Sequence, residues 1–297
     1  DLNGKKLTNA SNHTITNNGT LTITDSSENQ TGTVDNVSHQ RAAVFNNVGA
    51  TCTIKNGTFS RSAEASSSKD ASGSNSYYVI ENHGTMTIDD GTFKFSDTNN
   101  GPFSSLVENG WYNGNQNTTQ ELSQLTINGG TFTGGKITIK NDDYSKLTMN
   151  GGTVTQTQDT YFAIYAYNDV TINGGTVTAK DVPIGVCKID DTMDKGSLKI
   201  TGGDIISNSG RAAIEDQSDG STGDIAVSGG NFSTSVSQYV VGLDAELVKS
   251  TGDAPYSYYT NIETAQDHAG PEDTINDLSG SKDEDTTYCE VTLNCID

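Results

Sequence analysis

Positive charge, cysteine and proline are scarce in this sequence, and long apolar runs are missing. Across 297 residues, 17 Lys and Arg stand against 38 Asp and Glu, a formal net charge of −21. A phosphate backbone needs a basic track to displace its counterions, so nucleic acid is excluded as a partner. No stretch of about 20 apolar residues is available to span a bilayer as a helix, and no membrane insertion is expected. Cys52, Cys187, Cys289 and Cys295 show no metal-ligand spacing. Buried thiols are the default reading. Cys289 and Cys295 would lie roughly 20 Å apart on an extended strand, so their pairing would need an intervening turn and stays open. The 32% hydrophobic content is low for a spherical core of this length, and the chain has 32 glycines and only four prolines. The chain opens at Asp1 with neither methionine nor a signal-like segment, which suggests a processed or excised fragment.

What the sequence does hold is a repeat. Leu147-Thr148-Met149-Asn150-Gly151-Gly152-Thr153-Val154 returns as Thr53-Ile54-Lys55-Asn56-Gly57-Thr58-Phe59, as Thr87-Ile88-Asp89-Asp90-Gly91-Thr92-Phe93 and as Thr126-Ile127-Asn128-Gly129-Gly130-Thr131-Phe132. It continues through Thr171 to Val177, Lys199 to Ile205 and Ala226 to Phe232. Successive motif glycines are 22 to 39 residues apart. The short intervals set the basic coil and the long ones carry inserted loops. About 22 residues suits one turn of a parallel β-helix and is too short for a propeller blade or helix pair.

Alternation along a strand sorts the residues by face. Leu21, Cys52, Met86, Leu125, Leu147, Val170, Leu198 and Ile225 form one inward column, and Ile23, Ile54, Ile88, Ile127, Met149, Ile172, Ile200 and Val227 form another. The intervening threonines face out. After the Asn-Gly-Gly corner the inward position is Phe59, Phe93, Phe132, Val154, Val177, Ile205 and Phe232. A third strand precedes each motif, as in Ile15-Thr16-Asn17, Ile80-Glu81-Asn82 and Ile164-Tyr165-Ala166-Tyr167-Asn168. Its end is expected to carry a structural ladder of Asn17, Asn47, Asn82, Asn109, Asn141, Asn168 and Asp216, whose stacked amides bond along the axis. The fold expected is all-β: a right-handed parallel β-helix of about eight coils with an N-terminal cap over residues 1–237, and a small α+β appendage over 238–297. In the appendage a hairpin from Ala245 to Tyr259 is expected to cover the last coil. A helix follows from Thr260 to Ala269, capped by Thr260 with Glu263, and a final strand near Tyr288 to Leu293.

Candidate binding residues gather on one outward column. Tyr165 and Tyr167 project outward in coil 6, Lys140 and Glu108 occupy the same column, and Trp111 and Tyr112 stand in a polar loop of coil 4. Aromatic faces beside hydrogen-bonding side chains grip sugars and protein partners. The competing reading is that Trp111 folds back to shield the helix flank and the tyrosines are ordinary strand formers. Asp190, Asp191 and Asp194 offer a Ca²⁺ turn, but they lack regular calcium-loop spacing, and a solvated acidic loop is the simpler account. No other cofactor is implied. Catalysis of the pectin-lyase-like kind would need carboxylates clustered on one sheet. The pairs Asp89-Asp90, Asp142-Asp143 and Asp190-Asp191 fall in different coils, which speaks for a non-catalytic protein. Outward pairs such as Thr153 with Thr155 resemble ice-binding arrays, but the array breaks at Lys94, Asp204, Ile206 and Asn231.

The strand-Asn-Gly-Gly-Thr-Phe pattern, with Ser228-Gly229-Gly230-Asn231-Phe232-Ser233 and Tyr258-Tyr259-Thr260-Asn261-Ile262-Glu263-Thr264-Ala265, resembles the β-helical cell-surface proteins of gut Firmicutes. That resemblance implies a secreted, monomeric, adhesin-like protein, attached to the cell wall through a region outside this sequence. Its partner would be a host or microbial glycan or glycoprotein. The alternatives are a host protein such as an immunoglobulin, or polysaccharide lyase or glycoside hydrolase activity.

The face assignment is directly testable. Replacing Met149 or Ile172 with Asp buries an unpaired charge within one column and is expected to abolish the cooperative thermal melt. Thr148→Ser, on the outward side, is expected to stay within about 0.5 kcal/mol of the native chain.

Overall fold

A computed structural model describes residues 1–38, 40–62, 77–95, 105–111, 121–159, 162–187, 196–217 and 224–279. Cys289, Cys295 and the expected strand at 288–293 lie outside the described residues. The chain winds into a parallel β-solenoid of about eight coils with three sheets. Sheet 1 stacks eight strands: Ile15–Asn17, Val44–Asn46, Ile80–Asn82, Val107–Asn109, Ile139–Asn141, Ile164–Ala166, Ile184–Val186 and Ile214–Asp216. Sheet 2 stacks the eight motif strands from Thr20–Ile23 to Asp224–Val227. Sheet 3 runs from Lys6–Asn9 through the post-glycine strands to Asn231–Phe232.

Stacking is in register, so like sits on like. Ile127 pairs with Met149 and Met149 with Ile172, all fully buried. Phe59, Phe93 and Phe132 stack face to face with centroids 4.9 and 4.5 Å apart. Because the core is one thin stripe repeated along the axis, it closes with an overall hydrophobic content that a sphere could not use. The Asn-Gly-Gly corner needs both glycines, for different reasons. Gly152 has φ +87°, a conformation that L side chains rarely adopt, and a Cβ on Gly151 would stand 2.5 Å from the carbonyl oxygen of Asn128 in the coil before.

The amide ladder exists, with a different membership from the one expected. Asn17, Asn46, Asn82 and Asn109 each donate from Nδ2 to Oδ1 of the next residue, ending on Asn141, at 2.7–2.8 Å. Asn46 replaces the expected Asn47 because Val44 pairs with Ile80, which sets Asn46 opposite Asn82. Beyond Asn141 the register passes to Ala166, Val186 and Asp216, so Asn168 is not a member. A second ladder follows the exposed corner, where Asn173 donates to Asn150, Asn150 to Asn128 and Asn128 to Asp89, each at 2.9 Å.

At the C-terminal end Tyr256–Tyr259 pairs antiparallel with Asn231–Phe232, and Ala245–Val248 and Thr274–Asp277 extend the same sheet. The hairpin thus covers the last coil. The helix is Ile262–Gln266, shorter than expected, and its cap is Asn261, whose side chain accepts from Thr264 N at 2.8 Å. Thr260 instead meets the Thr264 hydroxyl at 3.3 Å.

Asn82 sits mid-ladder and also donates to Gly84 O at 3.1 Å and Gln124 O at 3.0 Å. Asn82→Ala strands several buried acceptors and is expected to cost about 2–4 kcal/mol in urea melts, whereas Asn17→Ala at the end of the ladder costs less.

Candidate functional site

The outward column of sheet 1 reads Thr16, Phe45, Glu81, Glu108, Lys140, Tyr165, Gly185 and Glu215, one residue per coil. In-register pairing therefore sets Glu81 against Glu108, Glu108 against Lys140, and Lys140 against Tyr165. Aligning the strand apolar residues Ile164 and Ala166 on Ile137 and Ile139 would place Tyr165 two residues out of register, whereas the pairing sets Ile164 opposite Ile139 and Ala166 opposite Asn141. A shift of two preserves the face, so its outward direction holds.

At the centre of the column lies a polar cluster shielded from water. Glu81, His83, Glu108, Lys140 and Asp142 are exposed by 6, 8, 4, 7 and 0%. Lys140 Nζ meets Asp142 Oδ2 at 2.5 Å. The Glu108 and Asp142 carboxyls lie close enough to bear on each other's titration. The hydroxyl of Tyr77 donates to Glu81 and that of Tyr78 to Glu108. Burial pushes the Glu81 carboxyl up to about 7, against the opposing pull of the Tyr77 bond and Arg41. Glu108 is held well above the usual carboxylate range by burial and then by the charges of Glu81 and Asp142. Asp142 is raised for the same first reason.

Aromatic groups flank the cluster at both ends. On the N-terminal side the His83 ring stacks on Trp111 at 3.7 Å and meets the edge of Phe45 at 5.3 Å, while Phe45 stacks on His13 at 4.7 Å. Burial lowers both imidazoles to about 4, helped at His13 by Arg41 and Arg61 and at His83 by His13, so both rings are neutral at neutral pH. On the C-terminal side Tyr165 lies 4.7 Å from Phe162 and 4.4 Å from Tyr167. Its hydroxyl donates to Gln217 Oε1 at 2.7 Å and lies 3.1 Å from Cys187 Sγ, whose thiol can donate in return. Gly185 makes room for Phe162, since a Cβ there would stand 2.8 Å from the ring. Lys140 Nζ lies 5.3 Å from the centroid of Tyr167, close enough for a cation–π contact.

Of the residues expected to bind ligand, Glu108, Lys140, Tyr165 and Tyr167 are contiguous. Trp111 belongs to the opposite end, where its amide donates to Asp143 O at 3.0 Å and its ring covers His83. Tyr112, Asp190, Asp191 and Asp194 lie outside the described residues. Sequence reading missed Glu81, His83, Asp142, Tyr77 and Tyr78. The signal for Glu81 was present in its position one residue before the ladder asparagine, the same position as Glu108. Among the described residues, Glu81, His83 and Glu108 form the one group of three His, Cys, Asp or Glu side chains whose donor atoms all lie within 4.8 Å of one another.

Comparison of the chain with family models, with curated proteins and with solved structures returns no match.

His13 gives this face a pH dependence. Its Nδ1 accepts from Ala42 N at 2.9 Å, a bond that protonation of that nitrogen removes. With the folded-state value near 4 and the unfolded one near 6.5, the unfolded chain binds the extra proton first, so this contribution is complete above pH 6.5 and is lost as pH falls through 4. Urea melts between pH 7 and 4 are expected to lose on the order of 2 kcal/mol through His13, discounted for its partial exposure, and His13→Gln is expected to flatten the slope.

Proposed function

We propose that this is a non-catalytic, secreted or cell-surface binding protein of adhesin-like type, which takes a host or microbial glycan or glycoprotein along the outward column of sheet 1. The observation that carries the reading is the aromatic group Phe162, Tyr165 and Tyr167, which lies half-buried beside the polar side chains of exposed Gln217 and half-buried Glu215. Sugar rings stack on aromatic faces while their hydroxyls need polar partners alongside, and this surface offers both within a few coils. The rigid solenoid holds these groups at fixed spacing, so little ordering entropy is lost on binding. The likeness of the repeat to bacterial β-helical surface proteins supports the same reading, as does a net charge of −21, which keeps a surface protein soluble. The same aromatic face would suit a host protein such as an immunoglobulin, and deglycosylating the captured partner separates the two.

One observation favours an enzymatic reading of the pectin-lyase-like class. Glu81, Glu108 and Asp142 converge from three coils, and their raised carboxyls resemble a general acid set. Against it stands their burial beneath the Tyr77 and Tyr78 hydroxyls. Incubation with polyuronides and host glycans is expected to release no new reducing ends or unsaturated products.

On a glycan and glycoprotein array, Tyr167→Ala is expected to weaken capture by about tenfold or more while leaving the thermal melt nearly unchanged. Undiminished capture by the folded variant would place binding elsewhere on the molecule.

A further inference from the structure

We propose that Glu81, His83 and Glu108 bind a divalent transition-metal cation of the zinc or manganese class on the outward side of sheet 1, between coils 3 and 4. The backbone brings the three together without any loop. Glu81 and Glu108 are register neighbours, and His83 follows Glu81 by two residues, which keeps it on the same side of the chain. Their donor atoms lie within 4.8 Å of one another. Ligands held about 2.1 Å from one ion stand roughly 3.0–4.2 Å apart, so side-chain movements of up to about an ångström complete the shell. His83 Nε2 lies 3.7 Å from Glu81 Oε1, too far for a hydrogen bond and within the span of two ligands of one ion.

The polar atoms around this point are under-satisfied. Glu81 Oε2 and His83 Nδ1 are both buried with no hydrogen-bond partner. A buried oxygen of this kind costs about 1–3 kcal/mol, more if charged, unless something meets it. Two carboxylates on neighbouring rungs also repel, and Lys140 is already held by Asp142. A divalent cation neutralises the pair, letting both carboxylates ionise in a buried place. The imidazole, kept neutral by burial, already has its lone pair available. Imidazole with carboxylates suits zinc, manganese or cobalt, whereas calcium and magnesium prefer all-oxygen sets. Tyr77 and Tyr78 supply the outer support, each bonded to one ligating carboxylate, and Trp111 and Phe45 wall the imidazole. This site is independent of whatever the Tyr167 face binds.

Trp111 is the only tryptophan and stacks on His83, so it reports on the site directly. The full chain, stripped with EDTA and dialysed, is titrated with zinc chloride and separately with cobalt chloride while tryptophan fluorescence is followed. We expect saturation at one equivalent, quenching by cobalt, a higher melting temperature with zinc, and no one-equivalent response to calcium chloride. Tyr78→Phe, which keeps all three ligands, is expected to weaken zinc by roughly 10- to 100-fold, and Glu108→Gln and His83→Gln by more. A native chain with no one-equivalent response overturns the site, and so does a response unchanged in folded Glu108→Gln, which would assign the metal to the acidic surface. Should the ligand variants not fold, the native titration and Tyr78→Phe decide the question alone.

Discussion

Parallel in-register pairing sets each residue about 4.8 Å from its counterparts in the coils before and after, and every other feature of this molecule answers to that spacing. Inside, it turns single apolar residues into continuous columns, so the stack of Phe59, Phe93 and Phe132 does the work of a core. At the strand ends it lets one asparagine satisfy the next, and the buried ladder from Asn17 to Asn141 uses amides that would otherwise be costly to desolvate. At the corner it brings the backbone of one coil against the next so closely that glycine is required at Gly151.

The same spacing is unforgiving on the outer face. A column of identical charges one rung apart repels, and most outward positions on sheet 2 avoid the problem with threonine, which suits a pleated surface and carries no charge. Sheet 1 departs from that economy between coils 3 and 5, where Glu81, Glu108 and Lys140 succeed one another, and Asp142 joins them from the turn beyond the strand. Tyr77 and Tyr78 bond two of these buried carboxyls, at a place where apolar residues of similar volume often stabilise a fold as well. Departures from the local rules of a fold are where function is sought.

Much of this fold was legible because its period is written into the residues: the inward columns, the glycine corner and the covering hairpin all follow from spacing and alternation. Errors arose where two residues satisfied the pattern equally well. Asn46 and Asn47 are adjacent, and only the pairing of Val44 with Ile80 distinguishes them. The helix cap was misassigned for a similar reason, since Thr260 and Asn261 are both good capping residues. Thr274–Asp277 has one apolar residue, Ile275, and as an outer strand of the covering sheet it gave no periodic signal.

The site was harder to read than the fold, for a reason specific to solenoids. Acidic residues were sought as neighbours in sequence, and Asp89-Asp90 and Asp142-Asp143 were set aside because they fall in different coils. In a parallel stack, chemical neighbours are one coil apart: Glu81 and Glu108 are separated by 27 residues, and Lys140 follows 32 later, yet register makes them adjacent. Coil length varies with the loops, so no fixed spacing reveals such a column. It appears only when residues are counted from the ladder asparagine of each coil. By that count Glu81, Glu108 and Lys140 are equivalent positions in three successive coils, strand pairing adds Tyr165 in the fourth, and a run of charged and aromatic residues at one structural position is the form in which a solenoid of this kind would write a binding surface.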